Sequence, residues 1–91
     1  MDEQIDGIAL FTVVQQDLNR LDIPYEIFTM PRPGFQTQQG DVLPFPISHQ
    51  MTLGELQVLA RQHARCILAL VAEDTSVVYY SINPISLQLT V

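Results

Sequence analysis

Lysine and tryptophan are absent from this chain, cysteine occurs once, and the four glycines stand far apart. Each shortage excludes something. Without lysine, the only fixed cations are Arg20, Arg32, Arg61 and Arg65, set against ten acidic residues and a net charge of −6. Nucleic-acid affinity comes largely from neutralising phosphates, and no basic stripe with interleaved aromatics is present. The chain alone is therefore expected to bind RNA poorly. A single cysteine cannot close an internal disulfide, which fits a reducing compartment. Cys66 lies inside an apolar run, where a free cysteine behaves as a small buried hydrophobe. Gly7, Gly34, Gly40 and Gly54 form no cluster that could cradle a phosphate, so no nucleotide cofactor is expected. The longest uninterrupted apolar run, Cys66 to Ala72, is far too short to cross a bilayer. No basic segment followed by an apolar one opens the chain, so no signal peptide and no membrane partner are expected.

Metal and nucleophile chemistry are equally thin. His49 and His63 are fourteen positions apart, and the cysteine belongs to an expected core strand, so no spacing resembles a zinc site. Ser48 and His49 are neighbours, but adjacency does not make a triad, and no carboxylate is placed to orient the imidazole. His49 reads as a loop residue before a helix. His63 reads as a capping or half-buried residue near a helix C-terminus, where the dipole favours a cation.

What is present is apolar patterning. Hydrophobic residues make up 47% of the chain and charged residues only 15%. That is too apolar for disorder and poor in charge for a solitary soluble surface, which hints at a partner. Residues 1–6 are expected to fray. Phe11, Val14, Leu18 and Leu21 recur at helical spacing, with Leu10 and Val13 beside them, so a helix is predicted from Ile8 to Leu21. Asp6 suits its N-cap, and Pro24 ends it. Tyr25 to Met30 alternates as a strand. Pro31 to Gly40 reads as a loop. Asp41 to Ser48 is extended, but Pro44 and Pro46 lack backbone donors, which predicts an edge or irregular strand.

Thr52 and Glu55 match a capping box and open a helix to about Ala64, with Leu53, Leu56, Leu59, Ala60 and His63 on its apolar stripe. Gly54 weakens its first turn. Cys66 to Ala72 predicts a strand buried on both faces. Glu73 to Ser76 is a polar turn, and Val77 to Ile82 a β-branched and aromatic strand. Tyr79 and Tyr80, being adjacent, must face opposite sides of it. Asn83-Pro84 breaks that strand, and Ile85, Leu87, Leu89 and Val91 alternate as a further one. The fold class is α/β: a small mixed sheet flanked by two helices.

The segment Arg61 to Ile82 resembles the C-terminal domain of the tRNA-intron endonuclease family. The matching pieces are Ala64-Arg65, the apolar strand Ile67 to Val71, the acidic Glu73-Asp74, and Val77-Val78-Tyr79-Tyr80. Upstream, Val42 to Pro46 and the helix Leu53 to Ala64 look like that family's strand-then-helix lead-in. The resemblance implies a metal-independent ribonuclease fold whose active members use a tyrosine, a histidine and a lysine. Here the lysine position falls at Ala64 or Arg65, the histidine position near Gly40-Asp41, and the loop Pro31 to Gly40 holds no tyrosine. A non-catalytic structural subunit is therefore expected, similar in size to the smallest subunits of eukaryotic members. The resemblance further implies pairing with a catalytic subunit of the tRNA-splicing endonuclease through Glu73, Asp74, Val77, Val78, Tyr79, Tyr80 and Ile82. RNA would be met only through the complex, in the nucleus, and the chain by itself could pair as a homodimer. Two other readings stand beside it: a degenerate ribonuclease using Tyr25, His49 and Arg65, and an unrelated homodimeric module.

Overall fold

The computed structural model describes residues 7–90, so the expected cap at Asp6, the fraying of residues 1–6 and the end of the last strand at Val91 lie outside it. Helix α1 spans Gly7–Arg20 and buries Leu10, Val14 and Leu18, three of the positions the periodicity selects. Its end is a Schellman motif. The Ile23 N–H donates to the Leu18 carbonyl and the Asp22 N–H to the Asn19 carbonyl, with Asp22 left-handed at φ 57°. Leu21 thereby leaves the apolar stripe and is 45% exposed, while Ile23 packs in its place.

Six strands form one sheet in the order β1-β2-β3-β4-β5-β6. They are β1 (Glu26–Phe28), β2 (Gly34–Gln36), β3 (Asp41–Pro46), β4 (Cys66–Val71), β5 (Val77–Ile82) and β6 (Leu89–Thr90). Every neighbouring pair is antiparallel except β3 and β4, which run parallel, joined by helix α2 (Leu53–Gln62). A parallel step needs such a crossover. The mixed sheet with a helix on each face is the expected class.

Side chains alternate between the two faces. Val42, Ala69, Val71 and Phe35 meet α1, with Phe11 stacked on Phe35 at 4.3 Å between ring centroids. Leu43, Phe45, Cys66, Leu68 and Ile82 meet Leu56 and Leu59 of α2. The doubly buried strand read at Cys66 to Ala72 is thus β4, covered on both sides. The capping box forms as expected: the Glu55 N–H donates to Thr52 Oγ1 at 3.1 Å, and the Thr52 N–H to Glu55 Oε1 at 3.3 Å. Helix α2 ends at Gln62, with His63 as C-cap, slightly short of Ala64.

Three expectations fail for physical reasons. Part of the loop Pro31 to Gly40 is strand β2, which Phe35 nails to the α1 side with no exposure at all. Gly40 makes that approach possible: it sits at φ +149°, and a Cβ there would come within 2.7 Å of the Arg65 carbonyl oxygen. Strand β3 is internal, not an edge. The Asp41 and Ile47 N–H groups donate to Arg65 and Val71 carbonyls on the β4 side, so the alternate residues Pro44 and Pro46 turn their missing donors the other way. On that side β2 reaches only Asp41 and Val42, and no ladder bond is lost. The terminal alternation also overstates its strand. Ile85 lies in a turn, Leu87 is left-handed at φ 58°, and only Leu89 and Thr90 pair, opposite Ile82 and Ser81.

Candidate partner-binding edge

Strand β5 begins after a three-residue turn. The Ala72 N–H donates to the Ser76 carbonyl and the Thr75 N–H to the Ala72 carbonyl, with Thr75 left-handed at φ 67°. This is a type I turn closed by a bulge, a common hairpin connection. It fixes which way the β5 backbone faces. Antiparallel pairs alternate between bonded and non-bonded, so Val78 and Tyr80, opposite Leu70 and Leu68, spend their N–H and C=O groups on β4. Val77, Tyr79 and Ser81 turn theirs to the outer side. There Ser81 meets Thr90 of β6, and among the described residues no strand lies against Val77 or Tyr79.

The seven residues expected to meet a partner therefore divide. Glu73 and Asp74 occupy the turn, exposed to solvent. Asp74 is already engaged: its carboxylate accepts from the Ser76 hydroxyl at 2.6 Å and the Ser76 N–H at 3.0 Å, which hold its pKa below the ordinary value. Val77 and Tyr79 pack half-buried against the α1 cluster, and Tyr80 and buried Ile82 against the α2 cluster. Val78 is 38% exposed, the freest apolar side chain of β5. What the strand offers outward is thus mainly backbone, at Val77 and Tyr79.

Tyr79 is locked from behind. Its hydroxyl donates to Asp17 Oδ2 on α1 at 2.7 Å, and Arg20 Nη2 reaches Asp17 Oδ1 at 2.6 Å. Burial works against the Asp17 charge, but the Tyr79 hydroxyl and the Arg20 guanidinium outweigh it and hold the carboxyl below its ordinary value. Burial and the Asp17 carboxylate together push the Tyr79 hydroxyl up, so it stays a donor. A second property of the region is compositional: no charged residue occurs from Val77 to Val91. Exposed sheet edges are usually blunted by charges or bulges, and interface cores are depleted of charge. Sequence reasoning could have caught that absence.

No acid–base constellation assembles. Tyr25 packs edge-on against Phe35 at 5.2 Å on the α1 side. His49 lies past the end of β3 and, against expectation, does have a carboxylate beside its imidazole: the capping-box residue Glu55 stands 3.0 Å from Nε2, with the ring stacked on Phe45. Arg65 sits at the opposite end of β4, donating to the Gln38 carbonyl at 3.3 Å. A strand of six residues separates those ends, roughly 20 Å. The three groups of the ribonuclease reading do not converge. Asp41, His63 and Cys66 do share the α2 face, which imitates a nucleophile triad. His63 Nδ1 donates to Asp41 Oδ2 at 2.7 Å, but its Nε2 is buried with no partner, so it does not touch the thiol. Burial, reinforced by Asp41, pushes that thiol up to about 12, leaving an inert core cysteine. Among the described residues no group of three His, Cys, Asp or Glu could hold a metal, and no helix is long and apolar enough to cross a membrane.

The fold and its one distinctive surface define an α/β domain built around a mixed sheet with an open, uncharged edge. A family model described as Sen15 protein matches residues 13–85, most of the chain, and the chain belongs to that family. Its members are the smallest, non-catalytic subunit of the tRNA-splicing endonuclease. No curated protein and no solved structure matches the chain.

Proposed function

We propose that the chain is an assembly subunit that pairs, through the outer edge of β5, with a catalytic subunit of the tRNA-splicing endonuclease, and supplies no residue to cleavage. The observation that carries this reading is the pair of outward backbone groups at Val77 and Tyr79, unpaired among the described residues, on a strand that holds no charge itself and is followed by none. An unpaired edge adds a partner strand by main-chain hydrogen bonds. The positions that resemblance assigns to the family's tyrosine, histidine and lysine hold no such residues, and with a net charge of −6 the chain meets pre-tRNA only through its partner. Its place of work is then that of the complex, the nucleus.

The test is co-expression with the catalytic subunit, followed by size-exclusion chromatography with mass determination. A one-to-one complex is expected for the native chain. Val77→Pro should break it, because that proline removes an outward N–H at the first position of β5 and spares the β4 ladder. Proline at Val78 or Tyr80 would instead remove N–H groups that hold β5 to β4. A complex indifferent to Val77→Pro in a folded chain would sink the edge reading.

A further inference from the structure

The turn that leads into the open edge holds a residue ill-suited to its backbone. Thr75 sits left-handed at φ 67°. Glycine is the usual residue at that place in a bulged hairpin turn, because a β-branched Cβ crowds the backbone at positive φ. Nothing within the fold offsets the cost. The turn is held by backbone bonds among Ala72, Thr75 and Ser76 and by the Asp74 carboxylate on Ser76, and glycine at position 75 would keep every one of them. The Thr75 side chain is exposed, and its hydroxyl makes no hydrogen bond among the described residues. Strain retained where the fold has no use for it points to a function for the side chain.

Its surroundings say which function. Helix α1 lies over β3 and β4, which leaves β5 at its flank. There Thr75 lines, with Val13, Gln16, Asp17 and Arg20, a crevice of about 230 Å³ between the turn and α1. That is small for a drug-sized ligand and has room for one side chain. The crevice lies at the open end of β5: Thr75 stands two residues before Val77, and the Tyr79 hydroxyl reaches Asp17 in its wall. A strand added beside Val77 and Tyr79 turns alternate side chains to the α1 face, the face on which the crevice lies. The walls select the chemistry. The Asp17 carboxylate already accepts from the Tyr79 hydroxyl and from Arg20 Nε and Nη2. A guanidinium carries five N–H groups, so Arg20 retains donors, as does the Thr75 hydroxyl. They require an acceptor, and Glu73 and Asp74 in the same turn disfavour a carboxylate. We infer that Thr75 is a specificity-determining contact of the docking edge: its hydroxyl and the remaining Arg20 N–H groups bind the amide oxygen of an Asn or Gln side chain on the partner strand that pairs with β5. This rests on the edge-pairing reading above.

The probe is the catalytic subunit, titrated against the full chain and its variants. Thr75→Gly should raise the unfolding midpoint of the free chain yet weaken Kd about threefold to tenfold. Thr75→Val keeps the branched Cβ and loses the hydroxyl, so it should weaken Kd as much with no gain in stability. Thr75→Ser keeps the hydroxyl and should bind within about twofold of the native chain. The ratio of Thr75→Val to native Kd should stay constant as salt rises from about 0.05 to 0.5 M. A ratio that falls with salt would make the acceptor a carboxylate and overturn the amide. Native affinity for both Thr75→Gly and Thr75→Val, with binding lost in Val77→Pro, would overturn the Thr75 contact and leave the edge reading intact. Native affinity for Val77→Pro, or no complex with the native chain, would remove the edge reading and the contact with it. Should Val77→Pro fail to fold, amide exchange at Val77 and Tyr79 in the native complex decides the same point.

Discussion

Asp41→Ala should cost this protein more stability than Asp41→Ala combined with His63→Phe. The His63 ring is 4% exposed, and its only polar partner among the described residues is the Asp41 carboxylate, 2.7 Å from Nδ1. Its Nε2 is already unpaired. Removing Asp41 orphans the second nitrogen, so the lost bond and the buried unsatisfied group together cost about 2–3 kcal/mol. For a domain of this size that lowers Tm by about 10–20 °C. His63→Phe removes both nitrogens and keeps a flat ring beside Phe28, whose centroid lies 5.7 Å away. It leaves Asp41 with a side chain 25% exposed, which water can reach, and should cost under about 1 kcal/mol. Adding His63→Phe to Asp41→Ala should therefore recover most of the loss. Urea unfolding followed by circular dichroism, at constant m, reads all three variants. A double variant whose loss equals the sum of the single ones would refute the reasoning, because it would mean that the two side chains are energetically independent.

Thr75→Gly and Asp22→Gly should each raise stability by about 1 kcal/mol, since both residues hold left-handed backbone that glycine adopts freely; a lower unfolding midpoint would contradict this. Gly40→Ala should lose about 2 kcal/mol or more, because its Cβ meets the Arg65 backbone at a strained φ, and thermal melting checks it. Tyr79→Phe should cost about 1 kcal/mol at neutral pH. Because the folded Asp17 pKa lies below its unfolded value near 3.8, the stabilisation is complete above the unfolded pKa and disappears as pH falls through the folded one. The gap between native and Tyr79→Phe midpoints should thus narrow below about pH 4; a gap that widens there would reverse the sign of the account. Thr52→Ala should cost about 1 kcal/mol by removing one arm of the capping box, visible in the same unfolding curves.

The elements that could be read in sequence are those whose stability is local. Helical spacing at Phe11, Val14 and Leu18, the capping box at Thr52 and Glu55, and the apolar run from Cys66 each carry their own signal within a few residues. What escaped depends on partners far along the chain. β2 exists because Phe35 fills the α1 cluster and Gly40 lets the chain pass Arg65, and neither fact is visible in a segment rich in Pro, Gly and Gln. Pro44 and Pro46 misled because proline arguments depend on which side of a strand the N–H faces, and that is set by register. At the C-terminus, alternation suggested a long strand, while Asn83 captures the next two N–H groups and bends the chain instead. The site divides in the same way. Val77 to Ile82 was legible as a strand, but which of its residues turn backbone outward follows from the bulged turn at Thr75. The lock between Tyr79 and Asp17 joins residues on different elements that no local pattern relates.

Amide exchange resolved by NMR, with and without the catalytic subunit, tests edge pairing most directly. Free chain should exchange rapidly at Val77 and Tyr79 and slowly at Val78 and Tyr80, whose N–H groups are held by β4. In the complex the first two should become protected by orders of magnitude. Val77 and Tyr79 still exchanging rapidly in a fully formed complex would show that the subunit is held by another surface.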